Sequence, residues 1–134
     1  MPFIDLQLGH PVTLETRQLL ARRTTEIIVK RLLKRHEVPA VRVTHQAADA
    51  WCIGASPISP ALCPVHAEIF ITAGTNDDAQ KAACIADLHA LLGEVLGPLP
   101  EASYLIIKEL PATDWGYAGR TQAVRRKTNK KTVD

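Results

Sequence analysis

Two tryptophans set the frame for what this chain can become. Trp51 and Trp115 each follow a strand-like run, and each leads into closely spaced Gly and Ala, as Trp51-Cys52-Ile53-Gly54-Ala55 and Trp115-Gly116-Tyr117-Ala118-Gly119. The recurrence of this order points to an internal duplication. Neither half is long enough to bury an apolar face alone, so the two must share one core. With 134 residues, the chain fits a single domain built from two small units. Hydrophobic residues make up 46% of it but aromatic ones only 4%, so aliphatic side chains and alanine must fill the interior.

The first half reads as strand, helix, strand. In residues 3–8, Ile4, Leu6 and Leu8 alternate with Phe3, Asp5 and Gln7, the period of two that marks a strand. Gly9-His10-Pro11 breaks the run. Thr13 is placed to cap a helix, with Glu15 favourable in its first turn. Leu20, Ile27, Ile28 and Leu32 form its apolar stripe, and Pro39 sets its end near Glu37. The opposite face carries Arg17, Arg22, Arg23, Lys30, Arg31, Lys34 and Arg35, which reads as a solvated face. Residues 40–46 are the second strand, and residues 49–55 a turn or short hairpin. Ser56-Pro57, Ser59-Pro60 and Cys63-Pro64 punctuate a linker over residues 56–66.

The second half repeats that order. Residues 67–72 form a strand, and Thr75-Asn76-Asp77-Asp78 resembles a capping box. Ile85, Leu88, Leu91, Leu92 and Val95 mark the helix stripe, with Gly97-Pro98 as its stop. Tyr104 to Leu110 is a strand, and a basic tail from residue 121, expected to fray, carries Arg125, Arg126, Lys127, Lys130 and Lys131. The units thus span residues 1–55 and 67–120. A crossover helix lets the two strands of each unit lie parallel. The expected fold is α+β: a four-stranded mixed sheet with both helices on one face and an apolar opposite face that wants a partner.

Net charge is +2, and the chain has no apolar run of the ~18 residues that cross a bilayer and no basic-then-apolar start, so it reads as soluble and cytoplasmic. Cys52, Cys63 and Cys84 lack the spacing of a metal or redox motif and read as reduced thiols; no metal or cofactor is implied. Met1-Pro2 carries the chemistry. Trimming of Met1 before a small residue would leave Pro2 as a free secondary amine, which titrates near ~8 and falls toward neutrality in an apolar pocket. Such a group can take and return protons at pH 7.

Met1-Pro2 opening a strand, Val41-Arg42-Val43, the Trp51 segment and Asp114-Trp115-Gly116-Tyr117-Ala118-Gly119 together resemble 4-oxalocrotonate tautomerase. The chain resembles the fused, two-unit members of the tautomerase superfamily, over about residues 2–120. The resemblance implies Pro2 as the general base of a keto–enol tautomerase, a small carboxylate substrate of the 2-oxo acid type, and a homotrimer. It implies Arg42 as the strand cation that holds a carboxylate, with Trp115, and alternatively Trp51, walling the pocket. Arg120 and Tyr104 would supply carboxylate and hydroxyl contacts. The family's arginine before the helix falls on Val12 and Thr75, and the arginine pair of the dehalogenase and decarboxylase members is absent. Pro64, near the start of the second unit, has an amide nitrogen and is not basic, so the chain supports one site.

Two other readings remain open at this level. The fold could carry hydratase or decarboxylase activity, or none. Alternatively, a ferredoxin-like βαβ-βαβ module could lay its basic helix on nucleic acid, although the strands offer few aromatics for stacking on bases.

Overall fold

The structure is a computed structural model that describes residues 2–133, with side chains as far as Thr128, so Met1 and its removal lie outside the described residues. In chain order the elements are β1 (Phe3–Leu8), α1 (Leu14–Leu32), β2 (Ala40–His45), a 3-10 turn at Ala48–Ala50, β3 (Cys52–Ile53), β4 (Ser56–Pro57), β5 (Val65–Thr72), α2 (Asp78–Leu96), β6 (Tyr104–Leu110), β7 (Gly116–Tyr117), β8 (Arg120–Thr121) and α3 (Gln122–Val133). The main sheet has the order β2-β1-β5-β6. Each unit pairs its two strands parallel, and the units join where β1 runs antiparallel to β5, with Phe3 opposite Phe70 and Leu6 opposite Ala67. This is the mixed sheet that the duplication predicts.

Alternation along the strands decides the core. Ile4, Leu6, Leu8, Val65, Ala67, Ile69 and Ile71 point to the helical layer and are essentially inaccessible. Leu20, Ile28 and Leu32 of α1 and Cys84, Leu88, Leu91 and Leu92 of α2 close over them. Each such aliphatic side chain contributes roughly 1.5–3 kcal/mol by leaving water. Ile85, assigned to the α2 stripe from its spacing, is instead exposed, and Cys84 takes the core position. Cys63 is also buried and Cys52 exposed, all three as free thiols. Burial pushes the Cys84 thiol up to about 11, so at neutral pH it is an inert packing group.

Caps form where the sequence places them. The Thr13 hydroxyl accepts from Thr16 N at 3.1 Å, and Asp77 with Gln80 completes a reciprocal capping box at α2. Gly97, at φ 84°, ends α2. Helix α1, however, stops at Leu32, short of Glu37. Leu33 takes the left-handed conformation at φ 56°, and the Asn76 side-chain amide donates to the Leu32 carbonyl at 3.0 Å, so a tertiary contact closes the helix before Pro39 can. Strand β5 begins at Val65, inside the expected linker, because Val65 and His66 pair with Leu8 and Gln7 of β1. Trp51 leads into the β3–β4 hairpin.

Two expectations about surfaces change. The basic face of α1 is not simply solvated: Arg23 makes a two-pronged contact with Glu94, at 2.9 and 3.0 Å, and Arg31 Nε donates to Asp87 at 2.6 Å. Acids of α2 thus occupy two of the cations that a nucleic-acid footprint would need. The open sheet face is not apolar either. Asp5 and Glu68 are direct cross-strand neighbours, an arrangement that repels. Arg42 bridges to Asp5 at 2.8 Å, while Lys108 and His66 reach Glu68 at 3.0 and 3.1 Å. Phe3 and Phe70 sit between these pairs, with Arg42 and Lys108 over their rings. Among the described residues no helix is long and apolar enough to cross a membrane.

Candidate active site

Antiparallel joining of the units determines which loops meet which strand ends. Because β5 opposes β1, the chain leaving β6 emerges beside the start of β1. The segment carrying Trp115 therefore arrives at Pro2. The chain leaving β2, parallel to β1, emerges at the far end, and it carries Trp51 there. Tyr104 opens β6 opposite His66, at that same far end, and is exposed.

Around Pro2 lies a cavity of about 340 Å³ lined by Phe3, Ala40, Phe70, Trp115, Gly116, Tyr117 and Gln122. Pro2 itself is buried, and its carbonyl accepts from Ala40 N at 3.2 Å, which fixes the residue at the end of an interior strand. Trp115 is held by its indole Nε1, which donates to the Thr72 hydroxyl at 3.2 Å. The β7–β8 hairpin forms the roof. Its turn uses Ala118 and Gly119, both at positive φ, and Gly116 is closed against the backbone of Arg120, where an added Cβ would lie 2.0 Å from the carbonyl oxygen. Only a residue without a side chain fits there. Apolar walls of this kind disfavour charge on any group they enclose.

Of the residues singled out from sequence, Pro2 and Trp115 share this cavity. Arg42, Trp51, Tyr104 and Arg120 do not line it within the chain. Arg42 is held by Asp5 through Nε and Nη2, at 3.1 and 2.8 Å, and the guanidinium keeps the Asp5 carboxyl below its ordinary range. Arg120 is exposed and donates to the Thr128 hydroxyl at 2.9 Å. Arg42 and Lys108 stand over the Phe3 and Phe70 rings of the cavity wall, and a further group of cations lies beyond Tyr117 and Gln122. A second cleft, of about 350 Å³, shares Tyr117 and Gln122 with the first and is lined by Leu33, Lys34, Arg35, Val38, Arg125 and Arg126.

Those four cations escaped the sequence reading for two reasons. Lys34 and Arg35 fell on what looked like a solvated helix face, but the early stop at Leu32 turns them aside. Arg125 and Arg126 fell in a tail expected to fray, but the tail is α3. The missed signal was Thr121, whose hydroxyl accepts from Val124 N at 3.1 Å in the manner of a cap. Backbone bonds from Gln122 N to the Trp115 carbonyl and from Ala123 N to that of Ala112 then dock the helix against the roof.

A family model described as tautomerase enzyme matches residues 66–125. Among solved structures, a wild-type fused 4-OT determined as an asymmetric trimer is 26% identical, with a TM-score of 0.79 over 92% of this chain and 98% of its own. A native fused 4-OT, that is, a fused 4-oxalocrotonate tautomerase, is 25% identical, with a TM-score of 0.77 over 91% and 97% of the two chains. A malonate semialdehyde decarboxylase inhibited by 3-bromopropiolate shares the fold at 20% identity, with a TM-score of 0.74 over 93% and 96%. No curated protein matches by sequence. Both halves of the sheet, the docked hairpin and these matches give the chain the fold of the fused, two-unit tautomerase structures, with the tautomerase family match falling on its second unit.

Proposed function

We propose that the protein is a proline-dependent tautomerase that interconverts the keto and enol forms of a small 2-oxo acid. One observation carries this reading: Pro2, at the start of β1, is buried against an apolar cavity roofed by Trp115 and Tyr117. With Met1 removed, the Pro2 nitrogen is a secondary amine. It accepts the proton from the carbon beside the carbonyl and returns it to the other terminus of the enol system. Phe3, Phe70 and Trp115 exclude water from the flat enol, and Tyr117 and Gln122 are the polar side chains at the cavity wall. Positive charge beyond that wall favours the enolate oxygen as it develops. Three copies would assemble through the open sheet face, in keeping with the relative solved as a trimer.

The experiment is ketonisation of phenylenolpyruvate by protein whose intact mass confirms loss of Met1, compared with Pro2→Ala and with protein that retains Met1. Both altered forms are expected to lose at least ~100-fold in kcat/KM, the scale of a general base. Turnover that survives in Pro2→Ala would remove the reading. Light scattering on the same samples reads the trimer.

A further inference from the structure

The basic cleft beside the Pro2 cavity gathers more positive charge than one developing enolate oxygen calls for. Lys34 and Arg35 come from the turn after α1, Arg125 and Arg126 from α3, and among the described residues none that lines the cleft is acidic. Lys34 is half-buried. Burial and the neighbouring Arg126 hold its ammonium below the usual lysine range. Its contact in the structure is neutral, the Thr75 hydroxyl at 3.2 Å. Arg125 spends one nitrogen on the Tyr117 carbonyl at 2.9 Å, while its Nε is buried with no hydrogen-bond partner among the described residues.

We propose that this cleft seats a phosphate group, so that the substrate of the Pro2 site is a phosphate-bearing 2-oxo acid or enol that spans both cavities. Tyr117 and Gln122 border both spaces, so one molecule can place its reacting carbon at Pro2 and its phosphate between α3 and the turn after α1. Charge argues for phosphate. A single carboxylate would leave three of the four cations unmatched, whereas a carboxylate together with a phosphate of about −1.5 to −2 at pH 7 leaves only about one to one and a half unmatched. Geometry agrees, since the terminal oxygens of a phosphate can meet guanidinium forks and an ammonium from several directions. This inference rests on the Pro2 reading for the reacting end of the molecule, but not for the anion end.

The test is calorimetric titration of the processed protein with inorganic phosphate, with malonate in parallel, at low ionic strength. Saturable phosphate binding is expected, tighter than malonate and weakened at least tenfold in Lys34→Gln and in Arg126→Gln. Circular dichroism confirms that both variants are folded. Absence of saturable binding, binding that neither substitution alters, or malonate binding as tightly as phosphate would each overturn the assignment. Binding is read without turnover, so the two ideas fail separately. Protein that binds phosphate in this way but turns over no enol keeps the cleft and loses the Pro2 base.

Discussion

The guanidinium carbon of Arg125 stands 3.7 Å from the centroid of the Tyr117 ring, and the same guanidinium donates to the Tyr117 backbone carbonyl at 2.9 Å. One side chain thereby ties α3 to the roof of the Pro2 cavity. A helix of 12 residues is marginal in isolation, so its order depends on such contacts. Stacking of this kind contributes about 0.5–2 kcal/mol. Arg125→Leu keeps aliphatic bulk but removes the stack and the hydrogen bond. Amide exchange in residues 122–128 is expected to rise about tenfold, with little change in the exchange of β1 and β5. Unchanged exchange in α3 would show that the two backbone bonds at its start suffice.

Glycine tests the roof from the other side. At Gly116 a Cβ would collide with the Arg120 backbone, whereas at Gly93, in the last turn of α2, nothing lies within 4 Å. Gly116→Ala is expected to displace the β7–β8 hairpin, lowering the catalytic efficiency proposed for Pro2 by tenfold or more while leaving the sheet folded. Gly93→Ala is expected to stabilise the protein by about 0.5–1 kcal/mol through helix propensity alone. Urea denaturation and enol turnover, measured on both variants, separate the effects. Equal turnover in the two would mean that the roof has no part in the site.

The sequence was most legible where a local rule and the tertiary structure agree. Alternation in β1 and the apolar stripes of α1 and α2 locate the core, and Thr13 and Asp77 cap the helices as their residue types demand. The duplication also led to the right topology, and the topology explains why Trp115, not Trp51, reaches Pro2. What could not be read was anything decided by contacts distant in sequence. Asn76 ends α1 from another unit, and the acids of α2 pair with Arg23 and Arg31 of α1. The tail orders because Trp115 and Ala112 offer carbonyls to its first turn. Arg42 looks like a free strand cation until β1 lays Asp5 opposite it, at which point it becomes part of an ion pair. The cations of the cleft beside the Pro2 cavity come from two segments that each looked like surface.

That ion pair makes stability depend on acid. Hydrogen bonding and charge from Arg42 hold the native Asp5 carboxyl below its ordinary value of 3.8, while the unfolded chain binds the proton at that ordinary value. A depressed native value means that the stabilisation is complete above pH ~4 and is lost as pH falls through the native value. Asp5→Asn removes this dependence. Thermal melts between pH ~2.5 and ~6 are expected to show a steeper acid fall in the wild-type chain than in the variant, whose melting temperature is lower at the upper end of the range. Parallel curves would mean that Asp5 titrates alike in both states.

Leu33 is the strained point of the cleft. It is 71% exposed and left-handed, so its side chain gains little from burial while its Cβ crowds the neighbouring carbonyl. That conformation costs a non-glycine residue roughly 1–2 kcal/mol, and glycine would relieve it at an entropic cost of about 0.5–1 kcal/mol in the unfolded chain. Leu33→Gly is therefore expected to stabilise the fold by about 0.5 kcal/mol, and Leu33→Val, branched at Cβ, to destabilise it by about 1 kcal/mol. Urea midpoints read both signs. If the turn instead relaxed to continue α1 toward Glu37, Leu33→Val would be neutral, and Lys34 and Arg35 would swing away from Arg125 and Arg126. The sign of that single substitution therefore reports whether the early helix stop is what holds the two halves of the basic cleft together.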